Sequence, residues 1–211
     1  MRLTICIILL LIVSVLQGKS NDPGPKFTVI KESKGVTLSS RWRTTSSNSK
    51  TRELKAEFYV SANPEVVLAL IKNAGMAKNW MKNLSEYSIV KLESENSWYA
   101  YIQYNIPWPL NNQDCIIRYN YIRSKDGKNY ELNLQGYPSY LPRREGVERI
   151  SHMVGSWKLS KGSGSDCRVE YTVYSEQKPV FPRWATDPLI QKNLIDTMAS
   201  MRELSEEMMN K

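Results

Sequence analysis

Three segments of this chain alternate apolar and polar side chains at every second residue, a period that commits them to a sheet with one greasy and one wet face. In residues 115–123, Cys115, Ile117, Tyr119 and Tyr121 share a face, and Arg118 and Asn120 oppose them. Tyr130, Leu132 and Leu134 likewise oppose Glu131, Asn133 and Gln135, and Val169, Tyr171 and Val173 oppose Arg168, Glu170 and Thr172. An apolar sheet face must be covered by another element. The candidate is a last helix over about residues 187–209, with Asp187-Pro188 as its cap. Ile190, Leu194, Met198, Met201 and Ser205 recur there at three- and four-residue steps.

The remaining elements complete an α+β order. Strands are expected at residues 26–31, 37–43, 54–60, 87–92 and 98–104, and one long strand at 147–159, where Gly155 would mark a bend or bulge. Ser33-Lys-Gly35, Asp126-Gly127 and Gly162-Ser-Gly164 read as turns. Asn63-Pro64 opens a helix carrying Val66, Val67, Leu70 and Ile71, continued irregularly to Asn83.

The first 20 residues have a different character. Met1-Arg2 is a positive start, residues 3–16 are apolar apart from Thr4 and Ser14, and Gly18 and Ser20 are small. That is the pattern of a secretory signal peptide cleaved near Ser20, leaving one domain over residues 21–211 in the periplasm or outside the cell. The apolar run is shorter than the ~20 residues that a spanning helix needs. Cleavage removes Arg2 and Lys19, so 27 basic residues face 21 acidic ones, a formal charge of +6. The excess concentrates in residues 26–55, a stretch that could meet anionic headgroups. No nucleic-acid motif accompanies it, and nucleic acid is not expected as a partner.

Chemistry-bearing residues are sparse. Cys115 and Cys167 are the cysteines of the mature chain, His152 is the single histidine, and no C-x-x-C spacing occurs. No metal site is expected. A hydrolase triad would have to use His152, yet no G-x-S-x-G elbow is present. Asp114 is the best lone carboxylate, and its structural role would be hydrogen bonding to the turn at residues 108–112.

The run I-P-W-P-L-N-N-Q-D at residues 106–114, feeding the alternating strand at 115–123, carries a further signal. Together with Gly155-Ser-Trp157 and with Phe181-Pro-Arg-Trp184 ahead of the last helix, it resembles the START (StAR-related lipid transfer) family of lipid-binding domains over roughly residues 26–204. The resemblance implies a helix-grip fold, in which a curved antiparallel β-sheet wraps a long C-terminal helix around a hydrophobic tunnel. It also implies that the strands of Cys115 and Cys167 are not neighbours, leaving two buried free thiols. Tunnel-lining residues would be Trp98, Tyr101, Ile117, Tyr119, Tyr121, Leu134, Met153, Trp157, Tyr171, Leu194, Met198 and Met201, any of which could instead fill a core. Tyr137, Tyr140 and Leu141, in the loop at 135–146, would form part of a gate.

The activity so implied is non-catalytic uptake and transfer or sequestration of one hydrophobic or amphipathic lipid, by a monomer without cofactor, with transient contact to an anionic membrane surface. The family's usual Arg-Asp is Gln113-Asp114 here, and the position of the buried arginine of its sterol-binding members is Tyr119. The polar contact in the tunnel should therefore be neutral hydroxyl or amide chemistry. Two alternatives belong to other classes: an enzyme acting on a hydrophobic or polycyclic substrate in the same cavity, and a sensor or partner-binding domain whose cavity is filled core.

Overall fold

The computed structural model describes residues 25–45, 48–108, 110–176 and 181–210; the expected signal peptide lies outside them. Ten strands form one sheet: β1 (Thr28–Ser33), β2 (Val36–Thr44), β3 (Lys50–Val60), β4 (Leu84–Ser94), β5 (Ser97–Tyr104), β6 (Asn112–Arg123), β7 (Asn129–Gly136), β8 (Val147–Arg149), β9 (Met153–Lys161) and β10 (Cys167–Ser175). Their spatial order is β1-β2-β3-β10-β9-β7-β6-β5-β4. All these neighbours pair antiparallel, and β8 adds a short parallel pairing to β6. Helices α1 (Pro64–Lys72) and α2 (Ala77–Trp80) interrupt the strands between β3 and β4, and α3 (Arg183–Met209) ends the chain. No helix among the described residues is long and apolar enough to cross a membrane.

Local chemistry explains the joints. Lys34 and Gly35 have φ of 54° and 71°, the left-handed pair that a two-residue hairpin between right-twisted strands requires. Asn63 precedes Pro64 as expected but makes no side-chain cap bond; beyond the end of α1, Asn73 caps the short 3-10 turn Ala74–Met76, its Oδ1 accepting from Met76 N at 3.2 Å.

Three expectations are corrected. Residues 147–159 are two strands, because β8 runs beside β6 while β9 must lie between β7 and β10. β8 and β9 run in the same sense, and the chain steps from one to the other past His152, whose φ is 51°. Gly155 marks no bulge: it pairs in unbroken register with Val173 and Leu134, and a Cβ there would sit 2.3 Å from Thr172 O. Glycine is needed at that position for close strand approach. Finally, α3 starts at Arg183 behind Pro182, and Pro188 lies inside it. Asp187 is not its cap but the ion-pair partner of Arg52, at 2.7 Å.

The core lies between the inner sheet face and the helices. Leu38, Ala56, Phe58, Ile102, Ile117, Leu132, Trp157, Leu159 and Val169 meet Val67 and Ile71 of α1, Trp80 of α2, and Ile195, Met198 and Met201 of α3. Burial on α3 starts at Ile195, whereas Leu189 and Ile190 remain half exposed. Cys115 and Cys167 are buried free thiols on non-adjacent strands.

The basic stretch is largely neutralised locally. Of its eight cations, Lys34, Arg41, Arg43, Arg52 and Lys55 lie within salt-bridge distance of Asp196, Glu53, Glu53, Asp187 and Glu57 respectively.

Candidate ligand cavity

The inner face and the helices do not close completely. A cavity of about 440 Å³ remains between them, within the ~300–1,000 Å³ range of small-molecule sites. Inward residues of successive strands build one wall: Ile102 of β5, Ile117 of β6, Leu134 of β7, Trp157 of β9 and Val173 of β10. Ile71, Trp80, Leu194 and Met198 form the opposite wall from α1, α2 and α3. Ile106, Pro107 and Leu110 border the cavity from the β5–β6 connection, and Phe181, Leu189 and Ile190 from the start of α3. These last two segments also carry the most exposed tryptophans. Trp108 is 92% and Trp184 81% exposed, although neighbours of each turn inward to the cavity.

The polar lining combines phenols with hydroxyl and amide side chains such as Thr51, Asn83, Gln113 and Asn193. Tyr87, Tyr104, Tyr119 and Tyr171 all line the cavity. Tyr104 and Tyr171 are surrounded by protein yet keep accessible surface, which faces this internal space. Burial raises the pKa of every one, Tyr87 to about 12 and Tyr104 and Tyr119 well beyond the ordinary phenol range, and neighbouring phenols further oppose the ionisation of Tyr104 and Tyr119. All four are therefore neutral at physiological pH. Cys115 sits among them with its thiol also pushed up to about 12 by burial, so it is no reactive thiolate. The Arg52–Asp187 ion pair borders the same cavity, joining β3 to α3.

Of the twelve expected lining residues, the structure brings Ile117, Tyr119, Leu134, Met153, Trp157, Tyr171, Leu194 and Met198 to the cavity. The other four lie elsewhere. Trp98 is stacked behind Tyr119, ring centroids 5.0 Å apart, and Tyr121 stacks on Tyr130. Met201 is fully buried core, almost a turn beyond Met198. Tyr101 is on the wrong face: it packs with Tyr99 and Ile116 on the outer side of the sheet, where its hydroxyl donates to Gln103 Oε1 at 2.8 Å and Arg144 lies over its ring.

Strict alternation along β5 carried the signal that was missed. Trp98, Ala100, Ile102 and Tyr104 share the inner parity, so Tyr104 and not Tyr101 was the cavity phenol.

The expected gate is also corrected. Tyr137 and Tyr140 pack against Tyr99, at 5.3 and 4.3 Å between ring centroids, and Leu141 joins the same outer cluster. None of the three borders the cavity. Their loop is drawn to the outer face by Arg149, which donates to the carbonyls of Pro138, Leu141 and Pro142 at 2.6, 3.1 and 3.1 Å.

Arg149 is held in turn by Asp114, in a bidentate pair at 2.5 and 3.0 Å with both side chains essentially inaccessible. Asp114 thus serves the 137–142 loop and not the turn at 108–112. That turn is tied by Asn112, whose Oδ1 accepts from Ile106 N at 3.0 Å. Neither Asp114 nor His152 lines the cavity.

No family model matches the chain. An uncharacterized protein of Pseudomonas aeruginosa is 24% identical over 147 residues, 70% of this chain and 72% of that protein. Among solved structures, a STAR-related lipid transfer protein of Xanthomonas axonopodis (fragment 25–204) superposes with a TM-score of 0.74 at 22% identity, covering 85% of this chain and 98% of the other. Human StAR-related lipid transfer protein 5 gives 0.74 at 14% identity, with 88% of each chain covered. The Zhui aromatase/cyclase of a Streptomyces gives 0.54 at 10% identity over 74% of this chain and 94% of that one. A ten-stranded sheet closed by a long C-terminal helix over an internal cavity is thus the helix-grip fold of the StAR-related lipid transfer structures.

Proposed function

We propose that this protein takes one hydrophobic or amphipathic lipid into the cavity between the sheet and α3 and carries or sequesters it without making or breaking bonds. The observation that carries the reading is the cavity itself: about 440 Å³ walled mainly by apolar side chains from six strands and three helices. Filling it with an acyl or polycyclic body would yield roughly 0.8 kcal/mol per buried methylene. The likeness to lipid transfer structures supports the same reading.

Loading requires the mouth to meet a lipid source, and we place that contact at Trp108 and Trp184. Indole rings favour the boundary between hydrocarbon and water, and the formal charge of +6 on residues 21–211 favours an anionic surface. This assignment moves the membrane contact away from the largely paired cations of residues 26–55. Export through the N-terminal segment would place the carrier in the periplasm or outside the cell, acting as a monomer.

Native mass spectrometry of the purified chain, followed by denaturing extraction, tests the proposal. A one-to-one adduct released as one lipid class is expected, and Leu194→Trp, which fills the cavity from α3, should abolish it without loss of fold. A chain that stays empty and takes up no fatty acid, phospholipid or sterol refutes carriage. Consumption of an aromatic or polycyclic substrate on incubation would establish the enzymatic alternative instead.

A further inference from the structure

From four of the five phenols that line the cavity we infer that the ligand is an uncharged molecule with a hydroxyl or carbonyl group, bound with that group inward against Tyr87, Tyr104, Tyr119 and Tyr171. This inference rests on the proposed carrier function and specifies its ligand class.

The phenols come from separate strands, Tyr87 from β4, Tyr104 from β5, Tyr119 from β6 and Tyr171 from β10, and the fold makes them neighbours around one space. Each phenol can donate one hydrogen bond and accept another. Among the described residues, the Tyr104 and Tyr171 hydroxyls make no hydrogen bond to the protein, whereas Tyr87 donates to Ile71 O at 3.3 Å. Their accessible surface faces the cavity, so these two hydroxyls are the ones a ligand oxygen would satisfy. Trp80, also on the cavity wall, has a buried indole N–H without a partner.

Charge is placed differently. The influences that raise the four phenols are burial, one another and the Cys115 thiol; no carboxylate, ammonium or guanidinium is among them. The charged groups bordering the cavity are Arg52, Glu148, Arg183 and Asp187. Arg52 and Asp187 neutralise each other at 2.7 Å, and Arg183 lies over Trp42. An ionised headgroup driven inward to the four phenols would meet no counter-charge there, and burying an unpaired charge is far costlier than burying a hydroxyl that finds a partner. An alcohol or ketone suffers no such penalty.

Two probes of equal chain length decide the matter, 1-hexadecanol and hexadecanoate at pH 8, titrated into the full chain and read by native mass spectrometry and tryptophan fluorescence. The alcohol should bind at least tenfold more tightly than the acid anion. Tyr104→Phe and Tyr171→Phe, which keep the ring and remove only the hydroxyl, should each weaken the alcohol about three- to tenfold, the range expected for one hydrogen bond. They should leave the affinity for hexadecane unchanged, a control that a merely structural effect would not pass. Equal or tighter binding of hexadecanoate would overturn the inference while leaving carriage intact, because the polar end would then face the mouth. Failure of alcohol, acid and alkane alike would overturn the carrier reading and this inference with it.

Discussion

Replacing Arg149 by methionine should be among the most damaging single changes outside the apolar core. Its side chain is 0% and that of Asp114 1% accessible, and the two are joined by bonds of 2.5 and 3.0 Å. Methionine approximates the volume of the arginine stem but leaves the Asp114 carboxylate buried without its partner. It also strands the carbonyls of Pro138, Leu141 and Pro142, which Arg149 holds. Breaking a buried pair from one side costs about 3–5 kcal/mol. For a domain of this size that corresponds to a fall in Tm of roughly 6–20 °C.

Thermal and urea unfolding followed by circular dichroism would measure it, with Asp114→Leu and the double variant completing a cycle. The double variant should lose less than the sum of the singles, by about 0.5–3 kcal/mol, because it removes both charges together. A loss below about 1 kcal/mol for Arg149→Met, the scale of an exposed pair, would refute the argument that burial makes this contact strong.

Gly155→Ala should cost about 1–3 kcal/mol in urea unfolding, since the new Cβ would lie 2.3 Å from the backbone oxygen of Thr172 and one strand must move; a neutral result would mean that β9 and β10 separate easily. Trp108→Ala with Trp184→Ala should leave Tm within about 1 °C, the rings being 92% and 81% exposed, while lowering sedimentation with anionic vesicles several-fold. Unchanged sedimentation would move the membrane contact elsewhere. Hydrogen bonds from Lys192 and Lys34, each at 2.6 Å, hold the Asp196 carboxyl below its ordinary 3.8. A depressed carboxyl stabilises the fold above its unfolded value and loses that contribution as pH falls through its folded value. Asp196→Asn should therefore cost up to about 1 kcal/mol at pH 7 and progressively less below about pH 4; a cost independent of pH would show that charge is not the cause.

The class of fold follows from local patterning of the chain. Period-two alternation in β6, β7 and β10 is a local property of the chain, and it places Ile117, Tyr119, Leu134 and Tyr171 on the inner face without knowledge of any neighbour. The three- and four-residue steps of Leu194, Met198 and Met201 likewise announced the covering helix, and all three residues do face inward. Strict alternation identifies the inner face, Tyr104 of β5 included and Tyr101 excluded, but not how far along each strand the cavity reaches, since Trp98 and Tyr121 share that face and lie outside it.

Tertiary structure decided what depends on partners distant in sequence. The break at His152 exists because β8 and β9 answer to different neighbours, β6 for one and β7 and β10 for the other. Pro188 is tolerated inside α3 and Asp187 turns to Arg52, 135 residues away, a pairing that no local cap rule contains. The loop at 135–146 carries the aromatic and basic mixture of a gate, yet Arg149 fastens its 138–142 portion to the outer face through contacts set by the fold. Local periodicity chooses which side of a strand is apolar, but only long-range pairing and charge neutralisation choose which loops stand at the mouth of the space those strands enclose.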